Sequence, residues 1–240
     1  MIPAPVLKAV AKAKTLPKRI RLAVIGGLAL LLVVVLVFAL KPVPTEDNAE
    51  DYLITSADFD SIDTERRDDV TDFTESGIFS SSCDARDDLE DALGRGDDWG
   101  SDGFENTDSE QNSFWLTQQI IGFDSSEDID DVMAAVEDGA GDSDCGYSSY
   151  TSTMTYVSSY DDAEKLSDLD LPGDGLLVRN DTKLTMTLTT TSDGSYVFAR
   201  RGNVLTIFSV YSGDSSYKDD VVSYNDLEDV LKICLNRFNG

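Results

Sequence analysis

Forty-six carboxylates, three cysteines and no histidine set the chemistry open to this chain. Without histidine there is no Ser-His-Asp or Cys-His nucleophile, no histidine-ligated zinc and no imidazole base. Paired carboxylates could act as acid and base on a glycosidic bond. With so many acids some pair arises however the chain folds, so the pattern selects none. Calcium is the other chemistry acids suggest. Asp97, Asp98, Asp102 and Glu105 share a glycine-rich stretch. Yet Asp98-x-Gly100-x-Asp102-Gly103 lacks the third-position ligand, and Ser109 stands where a calcium loop needs glutamate. Asp124, Asp128, Asp130 and Asp131 fall at an expected helix start, where carboxylates favour the helix dipole in any case. Asp168, Asp170 and Asp174 flank an expected turn. The residues therefore name no catalytic, cofactor-binding or metal-ligating group, and the chain is expected not to be an enzyme.

Arg200 and Arg201 are unusual cations in an acidic stretch. Ion pairs with nearby carboxylates are one expectation for them, and contact with an anion or a partner is the other. Asn180-Asp181-Thr182 matches a glycosylation sequon. Trp99, Trp115 and the tyrosines belong either to a core or to an interface. Three cysteines cannot all pair within one chain. Cys234 falls on an apolar helix stripe, as a buried free thiol or the half of an intermolecular bridge.

The elements that position these residues lie on one side of a long apolar run. Leu22 to Leu40 is unbroken, between Arg21 and Lys41. At about 1.5 Å per residue its 19 residues span roughly the ~30 Å hydrocarbon core of a bilayer. Lys8, Lys12, Lys14, Lys18, Arg19 and Arg21 precede it with no acid among them. That places residues 1–21 in the cytoplasm and the remainder outside. The run exceeds a signal-peptide core, and no cysteine near its end would take a lipid. Val6, Leu7, Val10 and Leu16 give the stub either a short amphipathic helix on anionic lipid or a flexible basic tail.

Seven of the 19 basic residues lie at or before Lys41, leaving 12 against all 46 acids, a charge of −34. Such a domain does not bind nucleic acid, whose phosphates need Lys and Arg. Residues 41–49 read as a proline-stiffened linker and 50–240 as one acidic extracytoplasmic domain. Outside the cytoplasm, disulfides are expected.

Within that domain Thr45 caps a short helix through Ile54. Residues 56–82 read as irregular structure anchored by Phe59, Ile62, Val70, Phe73, Ile78 and Phe79. A helix runs from Cys83 to Leu93, stopped by Gly94, and 95–110 reads as loop. Phe114 to Phe123 alternates as a strand. A helix beginning at Ser125 or Ser126 buries Ile129, Val132, Met133 and Val136 and ends at Gly139. Strands follow at Thr153–Tyr160, at Leu176–Arg179 after the turn Pro172–Gly175, and at Leu184–Thr191. Asp193-Gly194 reads as a hairpin turn into Tyr196–Arg200, and Arg201-Gly202-Asn203 as a second turn into Val204–Tyr211. A last helix from Ser223 carries the stripe Leu227, Val230, Leu231, Cys234, Leu235 and Phe238. The fold class is α+β, a central antiparallel sheet with helices on one face, preceded by one transmembrane helix.

Leu53–Phe59 (LITSADF), the two cysteines flanking a strand and a helix, and Phe198–Gly213 (FARRGNVLTIFSVYSG) before the final helix carry a resemblance over residues 50–238. The chain resembles the extracytoplasmic sensor-type domain of actinobacterial serine/threonine kinases and related envelope lipoproteins. The resemblance implies an antiparallel sheet, a cleft of unknown ligand and a Cys83–Cys145 disulfide. The chain departs from it in having no kinase domain, an apolar span in place of a lipidated cysteine, and far more acid.

The expected function is a non-enzymatic, single-pass accessory subunit of a cell-envelope membrane complex, with a respiratory-chain assembly as one host to test. Its partners would be other membrane subunits and the lipid around 22–40, and no cofactor is expected. The alternative is an extracytoplasmic ligand-binding or sensor domain, which requires a concave pocket for a small molecule.

Overall fold

The structure, a computed structural model, describes residues 43–239 except 60–63, 68–69, 71, 74–77, 107–113, 187–188 and 213–223. For 64, 106, 189–191, 212 and 224–227 it describes the backbone alone. The basic stub, the 22–40 span, Ile62, Leu188, Ser223 and the side chain of Leu227 lie outside what is described. Among the described residues no helix is long and apolar enough to cross a membrane.

Among the described residues nine strands form one antiparallel sheet: β1 Thr64–Arg66, β2 Asp97–Asn106, β3 Phe114–Gly122, β4 Tyr147–Tyr150, β5 Thr155–Tyr160, β6 Glu164–Lys165, β7 Asp174–Thr185, β8 Thr189–Arg201 and β9 Val204–Ser212. Their spatial order is β1-β2-β3-β9-β8-β7-β5-β4, with β6 added beside β7. Among the described residues three α-helices accompany them: α1 Asp84–Leu93, α2 Ser126–Gly139 and α3 Tyr224–Asn239. The α+β class holds. The helices, however, cover both faces and not one.

The two faces follow from strand alternation. On β9, Val204, Phe208 and Val210 pack with Leu231, Cys234, Leu235 and Phe238 of α3. Leu205 and Ile207, between them, pack with Ile129, Val132 and Val136 of α2 and with Leu89 and Leu93 of α1. β8 splits the same way, Val197 and Ala199 to α3 and Phe198 to the other side. A central strand that is apolar at nearly every position belongs to a sheet buried twice over. The run Val204–Val210, buried throughout, is such a strand.

Two further expectations are corrected. Residues 95–110, read as loop from their Asp, Gly and Ser content, contain the ten-residue β2, paired along β3 from Asp97↔Gly122 to Glu105↔Trp115. The backbone of β3 needs partners on that side, and tertiary pairing overrides weak strand propensity. Gly100 sits beside a register shift that absorbs the mismatch. Asp193-Gly194, read as a hairpin turn, lies inside β8 and pairs with Asp181 and Asn180. The chain instead reverses between the paired residues Thr185 and Thr189, inside the segment read as the single strand 184–191, whose ends belong to β7 and β8, while 176–179 lies within β7. The turn at Arg201–Asn203 is where the sequence puts it. Arg201 pairs with Val204, and Gly202 takes φ +67°, a left-handed conformation that suits glycine.

Tyr52–Ile54 and Asp72–Phe73 are held by two adjacent glutamines on β3. Gln118 Oε1 accepts from Ile54 N at 2.8 Å, and its Nε2 donates to Tyr52 O and to Thr206 Oγ1 at 3.2 Å each. Gln119, facing the opposite side, accepts from Phe73 N at 2.9 Å and donates to Asp72 Oδ1 at 3.2 Å. Each satisfies a segment that has no ladder partner of its own.

Candidate functional site

β7 and β8 are 12 and 13 residues long. On the α1–α2 side, β7, β8 and β9 lead from the covered core to a cleft of about 670 Å³, open to solvent. Alternation again decides what it shows. Tyr147 and Ser149 come from β4, Tyr156, Ser158 and Tyr160 from β5, Asn180 and Thr182 from β7, Tyr196 from β8 and Tyr211 from β9. Cross-strand pairs Tyr147↔Ser158, Ser149↔Tyr156, Ser158↔Thr182 and Tyr160↔Asn180 place these side chains on one surface. The segment Ile78–Ser81, with Arg86 of α1, forms the opposite wall.

That wall is fixed by the disulfide Cys83–Cys145, both of whose cysteines are buried. Ser80 N donates to Cys145 O at 3.0 Å, and Ser82 Oγ to Asp144 O at 3.0 Å. Tyr160 Oη donates to Ile78 O at 2.5 Å, closing the cleft floor onto the wall.

The aromatic floor is a connected set. Phe79 meets Tyr160 edge-on at 5.1 Å and Tyr196 meets Tyr211 at 5.7 Å, with Tyr160 and Tyr196 6.3 Å apart. The Tyr196 and Tyr211 hydroxyls bond to each other. Burial pushes the Tyr160, Tyr196 and Tyr211 hydroxyls above their ordinary range, and neighbouring phenols add to it. All three are neutral at pH 7. Gly194 makes room for this set: a Cβ there would lie 2.5 Å from Tyr211 Cε1.

Polar groups are threaded between the rings. Asn180 is 3% exposed. Its Nδ2 donates to Ser158 Oγ at 2.8 Å and Ser159 O at 3.0 Å, and its Oδ1 accepts from Thr182 Oγ1 at 3.1 Å. With both amide hydrogens engaged and the side chain buried, the sequon offers no free asparagine.

The lining has one outstanding property. Asp and Glu make up 46 of the 198 residues after Pro42, nearly one in four, yet among the described residues the fifteen that line the cleft include no acid. Cys145 to Tyr160, which supplies the outer wall, contains no charged residue at all. Among the described lining residues Arg86 is the one cation, and its Nε is bonded to Glu90 Oε1 at 2.5 Å.

The residues singled out for chemistry lie elsewhere. Arg200 bridges Asp130 and Asp174, the latter at 2.6 Å. Arg201 points to the other face, donating to Phe238 O at 2.9 Å and lying over the Tyr52 ring. The strand separates them, so they form no joint site. Asp102 takes Arg66, and Asp128 and Asp131 take Arg95. Among the described residues no group of three or more ligand side chains could hold a metal. Trp99 packs against the α3-side core, whereas Trp115 is 40% exposed under Arg67. Cys234 is fully buried, and burial drives its thiol pKa far up. The resemblance implied a cleft, but sequence reading placed none of the residues that line it. Its trace was the charge-free Cys145–Tyr160 segment in an otherwise acidic chain.

No protein family matches the chain, and no curated protein does. Among solved structures it is similar to the extracellular domain of PknH from Mycobacterium tuberculosis. The TM-score is 0.49 and the identity 12%, over 82% of this chain and 98% of that one. A likeness of that size carries no ligand or partner across.

Proposed function

We propose that the chain is a non-enzymatic, extracytoplasmic ligand-binding domain of the sensor type, tethered by residues 22–40. The observation that carries this reading is the tyrosine-lined cleft, whose described lining holds no acid, in a domain of −34. A concave site with apolar faces and a few convergent polar groups is what a small-molecule site requires. About 670 Å³ falls within the usual range of ~300–1,000 Å³. The disulfide supports an oxidising compartment, and the basic residues before the apolar run support a cytoplasmic N-terminus. The accessory-subunit expectation rests mainly on residues 1–42, outside the described residues, and the cleft moves the choice to ligand binding.

The test is a ligand-observed NMR screen of the full chain in detergent, using neutral, anionic, cationic and peptide probes. Binding that perturbs the cleft tyrosines and is lost in Tyr156→Ala supports the reading. Probes that bind nowhere, or bind equally well to Tyr156→Ala, overturn it.

A further inference from the structure

Resting on that reading, we infer that the cleft takes an uncharged saccharide. The argument is one of elimination followed by fit. An anionic ligand would have to approach through a field of −34. Among the described lining residues it would meet one guanidinium, which Glu90 already neutralises. A cationic ligand would be drawn to the domain, but among the described lining residues no carboxylate stands to fix it. The tyrosines do not compensate as an aromatic box, because they pack edge-on against one another and cover part of each other's faces. A lipid tail would require an apolar, enclosed lining. Here hydroxyls and an amide alternate with the rings, and the cleft stands open.

What remains is a ligand with flat apolar patches, many hydroxyls and no charge. Tyrosine offers an apolar body and a polar tip to such a molecule. The polar groups are also oriented in advance. Asn180 is locked by Ser158, Ser159 and Thr182, so the Thr182 hydroxyl spends its proton on Asn180 and presents lone pairs outward. Tyr160 likewise donates to Ile78 O and is left as an acceptor. A row of fixed acceptors matches the donor-rich edge of a sugar ring. Pre-set groups of this kind reduce the ordering cost of binding.

The experiment measures binding of neutral trisaccharides built from hexose, pentose or N-acetylhexosamine units to the full chain in detergent. Choline, a sugar phosphate and an uncharged tripeptide are compared at the same concentrations. The expected result is saturable binding of at least one neutral trisaccharide, insensitive to ionic strength. Tyr156→Ala and Thr182→Val should each weaken it by about tenfold or more, with the far-ultraviolet circular dichroism of the folded domain retained. The salt readout separates a neutral ligand from any charged one, and Thr182→Val removes a hydroxyl while keeping the shape. Binding of choline, the phosphate or the peptide in the cleft, with no trisaccharide bound up to about 10 mM, overturns the saccharide and leaves the ligand-binding reading standing. Absence of binding by every probe overturns both.

Discussion

Gly194 on β8 lies directly opposite Tyr211 on β9, and the tyrosine ring occupies the space a side chain at 194 would fill. The glycine belongs to the cleft floor and makes no turn. Gly194→Ala forces the Tyr211 ring off Tyr196 or splays the two strands. Overpacking of this kind costs about 1–3 kcal/mol. Urea denaturation should show a lowered midpoint at unchanged slope, and near-ultraviolet circular dichroism should report the displaced tyrosines. An unchanged midpoint would mean that the ring moves aside freely and that the floor is loosely packed.

The same residue shows where sequence reading stops. Helices α2 and α3 and strands β3 and β9 were legible because their apolar residues recur at helix or strand periods within one segment. Ser125 at the start of α2 is a local cap, accepting from Glu127 N at 3.0 Å. Asp193-Gly194 is chemically a turn dipeptide, but its glycine answers to Tyr211, seventeen positions later. β2 was hidden for a related reason. Its Asp, Gly and Ser residues favour loop, and only the unpaired edge of β3 makes them a strand. The cleft draws on β4, β5, β7, β8 and β9 across more than sixty residues, so no window of sequence contains it.

The adjacent glutamines of β3 give a directional prediction. Gln118→Ala leaves Ile54 N and Tyr52 O buried without their partner, and Gln119→Ala leaves Phe73 N so. Each orphaned buried group costs about 1–3 kcal/mol. Hydrogen exchange should quicken at Ile54 in the first variant and at Phe73 in the second. Phe73 stacks edge-on against Tyr196 at 6.3 Å, so the second variant alone should disturb the cleft. Equal effects of both variants at both amides would mean that the two faces unfold as one unit, and would refute separate anchoring.

The disulfide closes a loop with a sequence separation of 62. Chain-entropy reasoning assigns such a crosslink about 4 kcal/mol. It also anchors the cleft wall through Ser80 N and Cys145 O. The double variant Cys83→Ala, Cys145→Ala should therefore lose stability and show faster exchange at Ser80 through Ser82. Wild type should resist mild reductant while folded, since both cysteines are buried. Rapid reduction of the native chain, detected by thiol labelling at two sites per molecule, would contradict this burial.

Alkaline pH offers the last test, and its sign follows from burial. In Tyr160, Tyr196 and Tyr211 burial raises the folded-state pKa above the ordinary 10.0. Below pH 10 both the folded and the unfolded chain keep these protons, so the tyrosines contribute no pH dependence. Above pH 10 the unfolded chain releases protons that the folded chain holds, and stability falls as pH rises. The slope is about 1.4 kcal/mol per pH unit for each such tyrosine. Of nine tyrosines in the chain, these three should ionise only as the domain unfolds. Absorbance at the phenolate band would then rise in two stages, the second coinciding with loss of the far-ultraviolet signal. Tyr160→Phe keeps the ring and removes the titrating hydroxyl, so it should reduce the alkaline slope by one tyrosine's share. It gives up the bond to Ile78 O in exchange, at about 1 kcal/mol near neutral pH. Smooth titration of all nine tyrosines while the fold persists would show that the cleft floor is open to water, and would remove the packed aromatic set on which the ligand reading depends.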